Sequence, residues 1–410
     1  MADSDFHVLI VGAGATGLLI AQGLKKAGIR ATIYERYSRE EYEERAGKWT
    51  VALHWSIPFI EACVPLEISA KLKSTETHPW TDNDSTEAAY IPLVNGLTGD
   101  LMAKMPMPSG RRVSRGKLRN LLSTGIDIHF GMKLSEVRSE SAAGEKPAVT
   151  VLFNGGSVVA KGSVIVGADG ARSVVRNYLV GKEAGELQAA ESLSLNVFAT
   201  FTAEQALFIR NNSHLIGQAC LLEKYQIEFY TNRLSVADVV DPEKPETWVF
   251  QYSFSNLTKD DPPADEEEQR KLFKTYMATY CEPYKSIGLW VTDDTPISAE
   301  RFNFWGNIVP WDNRDGKITI AGDAAHPMLP FRAQGLNNAA EDAKLYVDAI
   351  KGVVYDNKDL KSTIDAYDES SYTRGKTDII SSHEQMKAYH NWDIVMNGPL
   401  MKSGGYGKPR

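Results

Sequence analysis

Three glycines near the start of the chain constrain its fold most strongly. Gly12, Gly14 and Gly17 have the GxGxxG spacing, within the sequence GAGATG. They follow the apolar run HVLIV and open the helix-compatible stretch GLLIAQGLKKAG, after which ATIY has the character of a second strand. In this context the first glycine permits a tight turn, the second lets the backbone approach a diphosphate, and the third lets the helix pack on the strand. Residues 7–35 are therefore predicted to form a βαβ unit that binds a dinucleotide.

The acid at the end of the second strand supports this interpretation. Glu35 lies about 20 residues after the glycines, where a carboxylate can accept hydrogen bonds from ribose hydroxyls. The loop alone does not decide between NAD and FAD, because both kinds of domain use it. The chain contains no second GxGxxG, so any second nucleotide is expected to bind transiently and elsewhere.

The remaining chain predicts an α/β fold with a second, α+β unit inserted into the first. The runs SVIVG and KITIAG read as further buried strands, and the chain from about residue 336 through the 380s reads as helical. Between them, apolar residues alternate with polar ones, which is typical of an antiparallel sheet with one buried face; they are Leu195, Val197, Ala199, Phe201, Tyr225, Ile227, Phe229, Trp248, Phe250, Tyr252 and Phe254.

These patterns predict three parts. A discontinuous dinucleotide-binding domain comprises residues 1–75, 101–179 and 301–355, a substrate-binding sheet domain comprises 76–100 and 180–300, and a C-terminal helical segment and tail comprises 356–410.

Composition excludes several classes of function. The net charge is −8 and no basic patch is evident, so no nucleic-acid partner is expected. The three cysteines, Cys63, Cys220 and Cys281, are widely spaced and form no CxxC pair, which fits neither a disulfide framework nor a zinc site. The longest apolar runs are far shorter than the ~20 residues of a membrane helix, and the first residues do not resemble a secretion signal. A cytoplasmic protein without a membrane span is expected.

Two further motifs make the resemblance to a known family specific. Residues 167–176 read GADGARSVVR and residues 322–337 read GDAAHPMLPFRAQGLN. With GAGATG and Glu35, in this order, they resemble the nucleotide-binding signatures of the single-component (class A) FAD-dependent monooxygenases with the para-hydroxybenzoate hydroxylase fold. The stretch GKWTVALHW is also similar to fungal secondary-metabolite members of that family. The resemblance implies a Rossmann-like FAD-binding domain of the glutathione reductase type, with an inserted antiparallel-sheet substrate domain and a helical C-terminus.

The resemblance also implies roles for individual residues. Asp169 and Gly170 would help to hold the diphosphate region, Asp323 the ribityl hydroxyls, and Pro330 would lie against the flavin ring. Backbone amides of the helix that starts at Gly335 would point at the flavin N1 and C2 carbonyl, where a helix N-terminus stabilises negative charge. The full set implied to contact the cofactor is Gly12, Gly14, Ala15, Gly17, Glu35, Arg36, Arg45, Arg115, Asp169, Gly170, Gly322, Asp323, Pro330, Gly335, Leu336 and Asn337.

Three residues near these motifs are less clearly assigned. Arg45 is placed near the diphosphate and the nicotinamide path by the resemblance, but a surface salt bridge is an equally simple role for it. Arg332 departs from the family pattern, since many members have glycine there, so the loop over the flavin is either shaped differently or Arg332 reaches a substrate or phosphate. His326 is expected to be structural.

The activity implied by the resemblance is oxygen transfer. FAD is bound, NAD(P)H binds transiently and reduces it, and a C4a-hydroperoxyflavin formed with O2 hydroxylates or epoxidises an electron-rich aromatic, indole or polyketide-like small molecule. A flavin-dependent dehydrogenase or oxidative cyclase, and a non-catalytic binding protein of related fold, are the alternatives. A dry cavity is required, and its predicted substrate contacts are His54, Phe229, Phe250 and Tyr252. No catalytic acid or base and no metal site is evident, and a monomer or homodimer is expected.

Overall fold

The computed structural model describes residues 6–45, 49–80, 82, 89–107, 110–139, 149–214, 217–224, 228–398 and 401, with the backbone alone for 223, 224 and 228–237. In chain order the strands are β1 (His7–Val11), β2 (Arg30–Tyr34), β3 (Thr50–Leu53), β4 (Tyr90–Asn95), β5 (Leu101–Pro106), β6 (Arg111–Ser114), β7 (Ile128–His129), β8 (Leu134–Arg138), β9 (Val149–Phe153), β10 (Val158–Gly162), β11 (Val164–Gly167), β12 (Gln188–Ala189), β13 (Ser192–Ala199), β14 (Gln218–Lys224), β15 (Glu228–Asp238), β16 (Val249–Leu257), β17 (Ile297–Glu300), β18 (Asn303–Phe304) and β19 (Ile318–Ile320).

The α-helices are α1 (Ala15–Lys26), α2 (Arg39–Glu44), α3 (Ile57–Cys63), α4 (Leu66–Ser69), α5 (Arg115–Leu122), α6 (Val174–Val180), α7 (Ala203–Asn211), α8 (Glu266–Met277), α9 (Tyr284–Trp290), α10 (Gly335–Tyr355), α11 (Leu360–Tyr389) and α12 (Trp392–Asn397). Short 3₁₀ turns include Gly322–Ala324 and Pro330–Arg332. No described helix combines the length and apolar character that crossing a bilayer requires.

A five-stranded parallel sheet forms the first unit, in the order β19-β11-β1-β2-β7. The prediction of buried strands at HVLIV, ATIY, SVIVG and KITIAG is confirmed, because these runs form β1, β2, β11 and β19 of this sheet. Helices α1 and α10 pack together on one face, where Gly23 of α1 lies so close to Val347 of α10 that an added Cβ would approach within 2.7 Å. Because the strands are parallel, their carboxyl ends meet at one edge, where ligands bind in such folds.

A seven-stranded sheet forms the second unit, in the order β17-β13-β16-β15-β14-β4-β5. Neighbouring strands are antiparallel except β14 and β4, which are parallel. Strand β5 pairs with β4 and therefore belongs to this sheet. The inserted segment thus extends to Pro106, whereas the sequence predicted that it ends at residue 100. The division into domains otherwise remains a prediction.

The two faces of the seven-stranded sheet differ sharply in polarity. Phe250, Tyr252 and Phe254 of β16 are fully buried and pack with the helices α8 and α9, in one core that contains Phe273 and Tyr284. The alternate residues of β16 face the opposite side of the sheet, because side chains alternate along a strand. They are Gln251, Ser253 and Ser255, and they line the cavity described below. The predicted alternation is therefore present, and the helices cover its aromatic face.

We expect Phe250→Ala to lower the free energy of unfolding by about 3–5 kcal/mol, since it removes a fully buried ring from this core. Urea unfolding followed by far-UV circular dichroism measures the change. Ser253→Ala, on the opposite face of the same strand, is the control and should change stability by less than about 1 kcal/mol. Equal effects of the two substitutions would show that the aromatic face is not the core face.

Candidate active site

A large cavity lies between the carboxyl edge of the parallel sheet and the polar face of the seven-stranded sheet. Its volume is about 1780 Å³, larger than the ~300–1,000 Å³ of an ordinary small-molecule site. The glycine loop after β1, Glu35 after β2, Asp169 after β11 and Asp323 after β19 all line it. Segments more than 300 residues apart in sequence thus meet at one edge, with room for two ligands side by side.

The three glycines of the loop have different surroundings. Gly12 has a φ of +102°, and a Cβ there would overlap the carbonyl oxygen of Ala168. A Cβ on Gly17 would overlap the carbonyl oxygen of Gly12. Gly14 lines the cavity, and apart from its chain neighbours no atom of the described residues lies within 4 Å of the position of a Cβ. Gly12 and Gly17 are therefore needed for packing of the protein itself, whereas Gly14 keeps space open beside α1.

Glu35 is buried at the cavity wall and organises the loop. One carboxylate oxygen accepts a hydrogen bond from the amide of Ala13 at 2.9 Å, and the other accepts from the amide of Tyr37 at 3.1 Å. A carboxylate can accept about four hydrogen bonds, so Glu35 retains acceptor capacity toward the cavity that it lines.

Several arginines line this end of the cavity, together with the acidic residues described above and below. The arginines that line it and form no ion pair within the described part of the chain are Arg36, Arg45, Arg115, Arg119 and Arg172. The guanidinium of Arg45 lies 4.5 Å from the ring centroid of Tyr37, and the alternative of a salt bridge is not seen among the described residues. Four of these arginines are exposed and Arg119 is half-buried, so together they offer guanidinium donors to an anion from the cavity wall.

Arg119 was not predicted from the sequence. It lies one helical turn after Arg115 on α5, and its Nε and Nη2 atoms are buried without a partner among the described residues. Its guanidinium lies 3.8 Å from the ring centroid of Tyr42, whose hydroxyl donates to the carbonyl of Ala13 at 2.6 Å. Burial raises the pKa of Tyr42 to about 12, so this hydroxyl remains a donor. The spacing of four residues on one helix was the available signal.

The second motif is held by its own hydrogen bonds. The carboxylate of Asp169 accepts from Ser173 Oγ at 2.5 Å and from the amide of Val174 at 2.7 Å, at the start of α6. Burial raises the pKa of Asp169. Gly170, with φ +80°, turns the chain along the cavity. The Asp169 carboxylate therefore caps the start of α6 directly. The residue also lines the cavity, where the resemblance assigns it to the cofactor.

Arg176 joins the second motif to the third. It is buried, and its guanidinium donates to the carbonyls of Ala171 at 2.5 Å, Ala324 at 3.0 Å and Gly185 at 3.2 Å. It lies 5.0 Å from the ring centroid of Trp305. Burial lowers its pKa to about 10.

The third motif is anchored by a buried charge network. Asp342 of α10 accepts from the amide of Gly322 at 2.8 Å, contacts His326 Nε2 at 2.6 Å, and pairs with Arg374 of α11. His326 is completely buried and does not line the cavity, as the structural role predicted for it requires. Asp323 faces the cavity, whereas Gly322 and Gly17 lie behind its wall.

Asn337 also lies behind the cavity wall. Its side chain accepts from the amide of His54 at 2.8 Å and donates to the carbonyls of Ala52 at 3.1 Å and Ala333 at 2.8 Å. It thereby ties the end of β3 to the start of α10, while Gly335 and Leu336 line the cavity.

The loop at Arg332 does not require a positive φ of the arginine. The positive φ lies at Ala333 (+53°), so Arg332 itself is not strained. Arg332 lines the cavity and its Nη1 lies 3.3 Å from Asp378 Oδ1 on α11. Asp378 and Arg374, on a helix for which the sequence predicted no site residue, also line the cavity.

The predicted aromatic wall is wrong for two residues. Phe250 and Tyr252 lie in the core beneath α8 and α9, and polar side chains of the same strand face the cavity instead. The side chain of Phe229 lies outside the described residues. His54 lines the cavity, and its Nε2 is buried without a partner among the described residues. Burial lowers the pKa of His54, which favours the neutral ring.

Comparison with known proteins agrees with this geometry. The family model described as "FAD binding domain" matches residues 5–52 and 117–377. "FAD-dependent monooxygenase phnB" of Penicillium herquei is 34% identical over 98% of this chain and 96% of its own length. "FAD-dependent monooxygenase cctM" of Talaromyces islandicus is 29% identical over 97% of this chain and 96% of its own. The solved structure of Klebsiella pneumoniae HpxO complexed with FAD and uric acid superposes with a TM-score of 0.72 at 17% identity, over 97% of this chain and 92% of that one; this likeness concerns the fold.

We expect Asp342→Asn to destabilise the protein by about 3–5 kcal/mol at neutral pH, since it removes the buried carboxylate that contacts both Arg374 and His326 and leaves Arg374 only the partly exposed Glu341. Burial alone would raise the pKa of Asp342, but His326 and Arg374 lower it below 3.8. A lowered carboxyl pKa contributes stability above the unfolded value and loses it as the pH falls through the folded value. The difference between wild type and variant should therefore persist from neutral pH to about pH 4 and shrink below that.

Urea unfolding at several pH values measures this difference. Asp348→Asn is the matched control on the same helix, because Asp348 is exposed and pairs with Lys344 at the surface; its effect should stay below about 1 kcal/mol. A difference for Asp342→Asn that is small, or that grows in acid, would contradict the charge network.

Proposed function

Since this chain belongs to the family of FAD-dependent monooxygenases, we propose that it uses NAD(P)H and O2 to hydroxylate or epoxidise an electron-rich aromatic, indole or polyketide-like small molecule. The observation that carries the proposal is the large cavity, which the cofactor motifs line at one end and the polar sheet face lines at the other. The fungal relatives support a role in secondary metabolism.

The residues of the cavity fit FAD. The space beside Gly14, which a larger side chain would fill, suits the diphosphate, and the unpaired arginines supply the positive charge that it needs. Glu35 retains acceptor capacity for the adenosine ribose. Arg119, with two buried donors that lack a partner within the described structure, is the strongest additional candidate for an anionic or carbonyl oxygen of the cofactor.

The other end of the cofactor is assigned to the third motif. Asp323 would accept from the ribityl hydroxyls, and Pro330 would lie against the flavin ring. The first turn of α10, at Gly335 and Leu336, directs backbone amides toward the cavity, where they favour negative charge on the pyrimidine side of the ring.

The chain binds the reactants and excludes water, and when bound, FAD supplies the electron transfer from NAD(P)H to O2. Met328, Leu329 and Phe331, within the third motif, form an apolar wall, and Ile91 and Met105 form another on strands β4 and β5. Walls of this kind suit a flat aromatic body and keep the site dry. A monomer or homodimer and a cytoplasmic location belong to the same proposal.

We expect Gly14→Val to weaken FAD binding by at least about 100-fold, because the side chain fills the space assigned to the diphosphate. The backbone at Gly14, with φ −71°, accepts valine without strain, so stability of the FAD-free protein should be retained. FAD titration followed by flavin fluorescence, together with urea unfolding, measures both effects. Gly12→Val is the contrasting control, since it should unfold the loop through overlap with Ala168. Normal FAD affinity in Gly14→Val would refute the placement.

The proposed activity is tested with the purified FAD-bound protein, NADPH and ¹⁸O2 against a panel of hydroxylated aromatic, indole and polyketide compounds. We expect at least one compound to stimulate NADPH oxidation and to gain one labelled oxygen, detected by mass spectrometry. Reduction of the flavin by a substrate without NAD(P)H would favour a dehydrogenase or oxidative cyclase. A protein that does not take up FAD would favour the non-catalytic alternative.

A further inference from the structure

A row of polar side chains crosses the sheet face that closes the cavity. Strand pairing places Ser194 of β13 directly opposite Glu300 of β17 on one side and Ser255 of β16 on the other. Directly opposed residues point to the same face, and all three line the cavity. Among the lining residues that the structure describes, Glu300 is the one carboxylate that this sheet contributes.

One oxygen of the Glu300 carboxylate is held in place. Asn196 Nδ2 donates to Glu300 Oε1 at 2.9 Å, and Asn196 is itself buried. Within the described structure, Oε2 has no hydrogen-bond partner and no cation pairs with the carboxylate. Burial raises the pKa of Glu300, as expected for a carboxyl group that leaves water without gaining a positive neighbour.

Three neighbouring polar side chains of this wall already have hydrogen-bond partners within the protein. Gln218 donates to Tyr284 Oη at 2.9 Å and accepts from the amide of His214 at 3.2 Å. Gln251 accepts from Thr50 Oγ1 at 2.8 Å. Ser255 contacts His390 Nε2 at 3.0 Å. Glu300 Oε2 therefore differs from these neighbours, because it is an acceptor on the cavity wall with no partner among the described residues.

We propose that Glu300, oriented by Asn196, accepts a hydrogen bond from a phenolic hydroxyl of the substrate and so selects hydroxylated aromatic compounds. A neutral hydroxyl fits because it donates, whereas a substrate carboxylate would bring a second negative charge to a wall without a paired cation. The hydrogen bond polarises the O–H bond and enriches the ring in electrons, which favours attack by an electrophilic oxygen. This inference rests on the proposed function and narrows its substrate class.

The test uses 2-naphthol, a neutral fused-ring phenol, and its methyl ether as probes. Binding to the oxidised, FAD-bound protein is titrated without NAD(P)H, so the result does not depend on turnover. Charge-assisted hydrogen bonds contribute about 1.5–3 kcal/mol, so wild type should bind 2-naphthol at least about tenfold more tightly than the ether. Bound 2-naphthol should also show a red-shifted absorption band, because its hydroxyl donates to a carboxylate.

Two substitutions of Glu300 and one control complete the test. Glu300→Gln should reduce the preference for 2-naphthol, and Glu300→Leu should abolish it together with the red shift. Ser298→Ala, on the same strand but outside the cavity, should retain both. A preference and band shift that survive in both Glu300 variants, or a wild type that binds both probes equally or neither, would overturn the proposal. FAD content and labelled-oxygen incorporation with other compounds report on the proposed function separately.

Discussion

The contact between Gly12 and Ala168 is the constraint on which the rest of the site depends. The ends of β1 and β11 approach so closely there that no side chain fits between them. This approach places the first and second motifs side by side although about 155 residues separate them along the chain. The third motif joins them through Arg176, which donates to carbonyls of both the second and the third, and through Asp342, which holds Gly322 and His326. The cavity is therefore a property of the assembled core and not of any single loop.

The seven-stranded sheet meets two requirements at once, since it must be stable and must also present polar groups to a ligand. Its aromatic face is covered by α8 and α9, and this burial stabilises the sheet. The opposite face can then carry serine, glutamine and glutamate side chains without loss of the core. Oxygen transfer needs both a dry cavity and a substrate held in one orientation, and a rigid polar wall provides the second of these.

The sequence predicted the fold and the cofactor motifs well, for a physical reason. Backbone contacts as close as those of Gly12 and Gly17 accept only glycine, so they leave a readable pattern. The cavity wall was harder to predict. Alternation along β16 shows that two faces exist, but the choice between them depends on where α8 and α9 pack, so Phe250 and Tyr252 were assigned to the wrong face. Arg374 and Asp378 reach the cavity from α11, where both form hydrogen bonds with Asn338 of α10. The sequence of α11 alone contains no pattern that predicts contacts with another helix.

A crystal structure of the protein with FAD and a hydroxylated aromatic ligand tests the central claim most directly. The account predicts the diphosphate beside Gly14 and the arginines, the flavin ring between Pro330 and the polar sheet face, and the ligand hydroxyl within hydrogen-bond distance of Glu300 Oε2. A flavin ring directed away from the seven-stranded sheet, or a ligand bound among the aromatic side chains beneath α8 and α9, would contradict it.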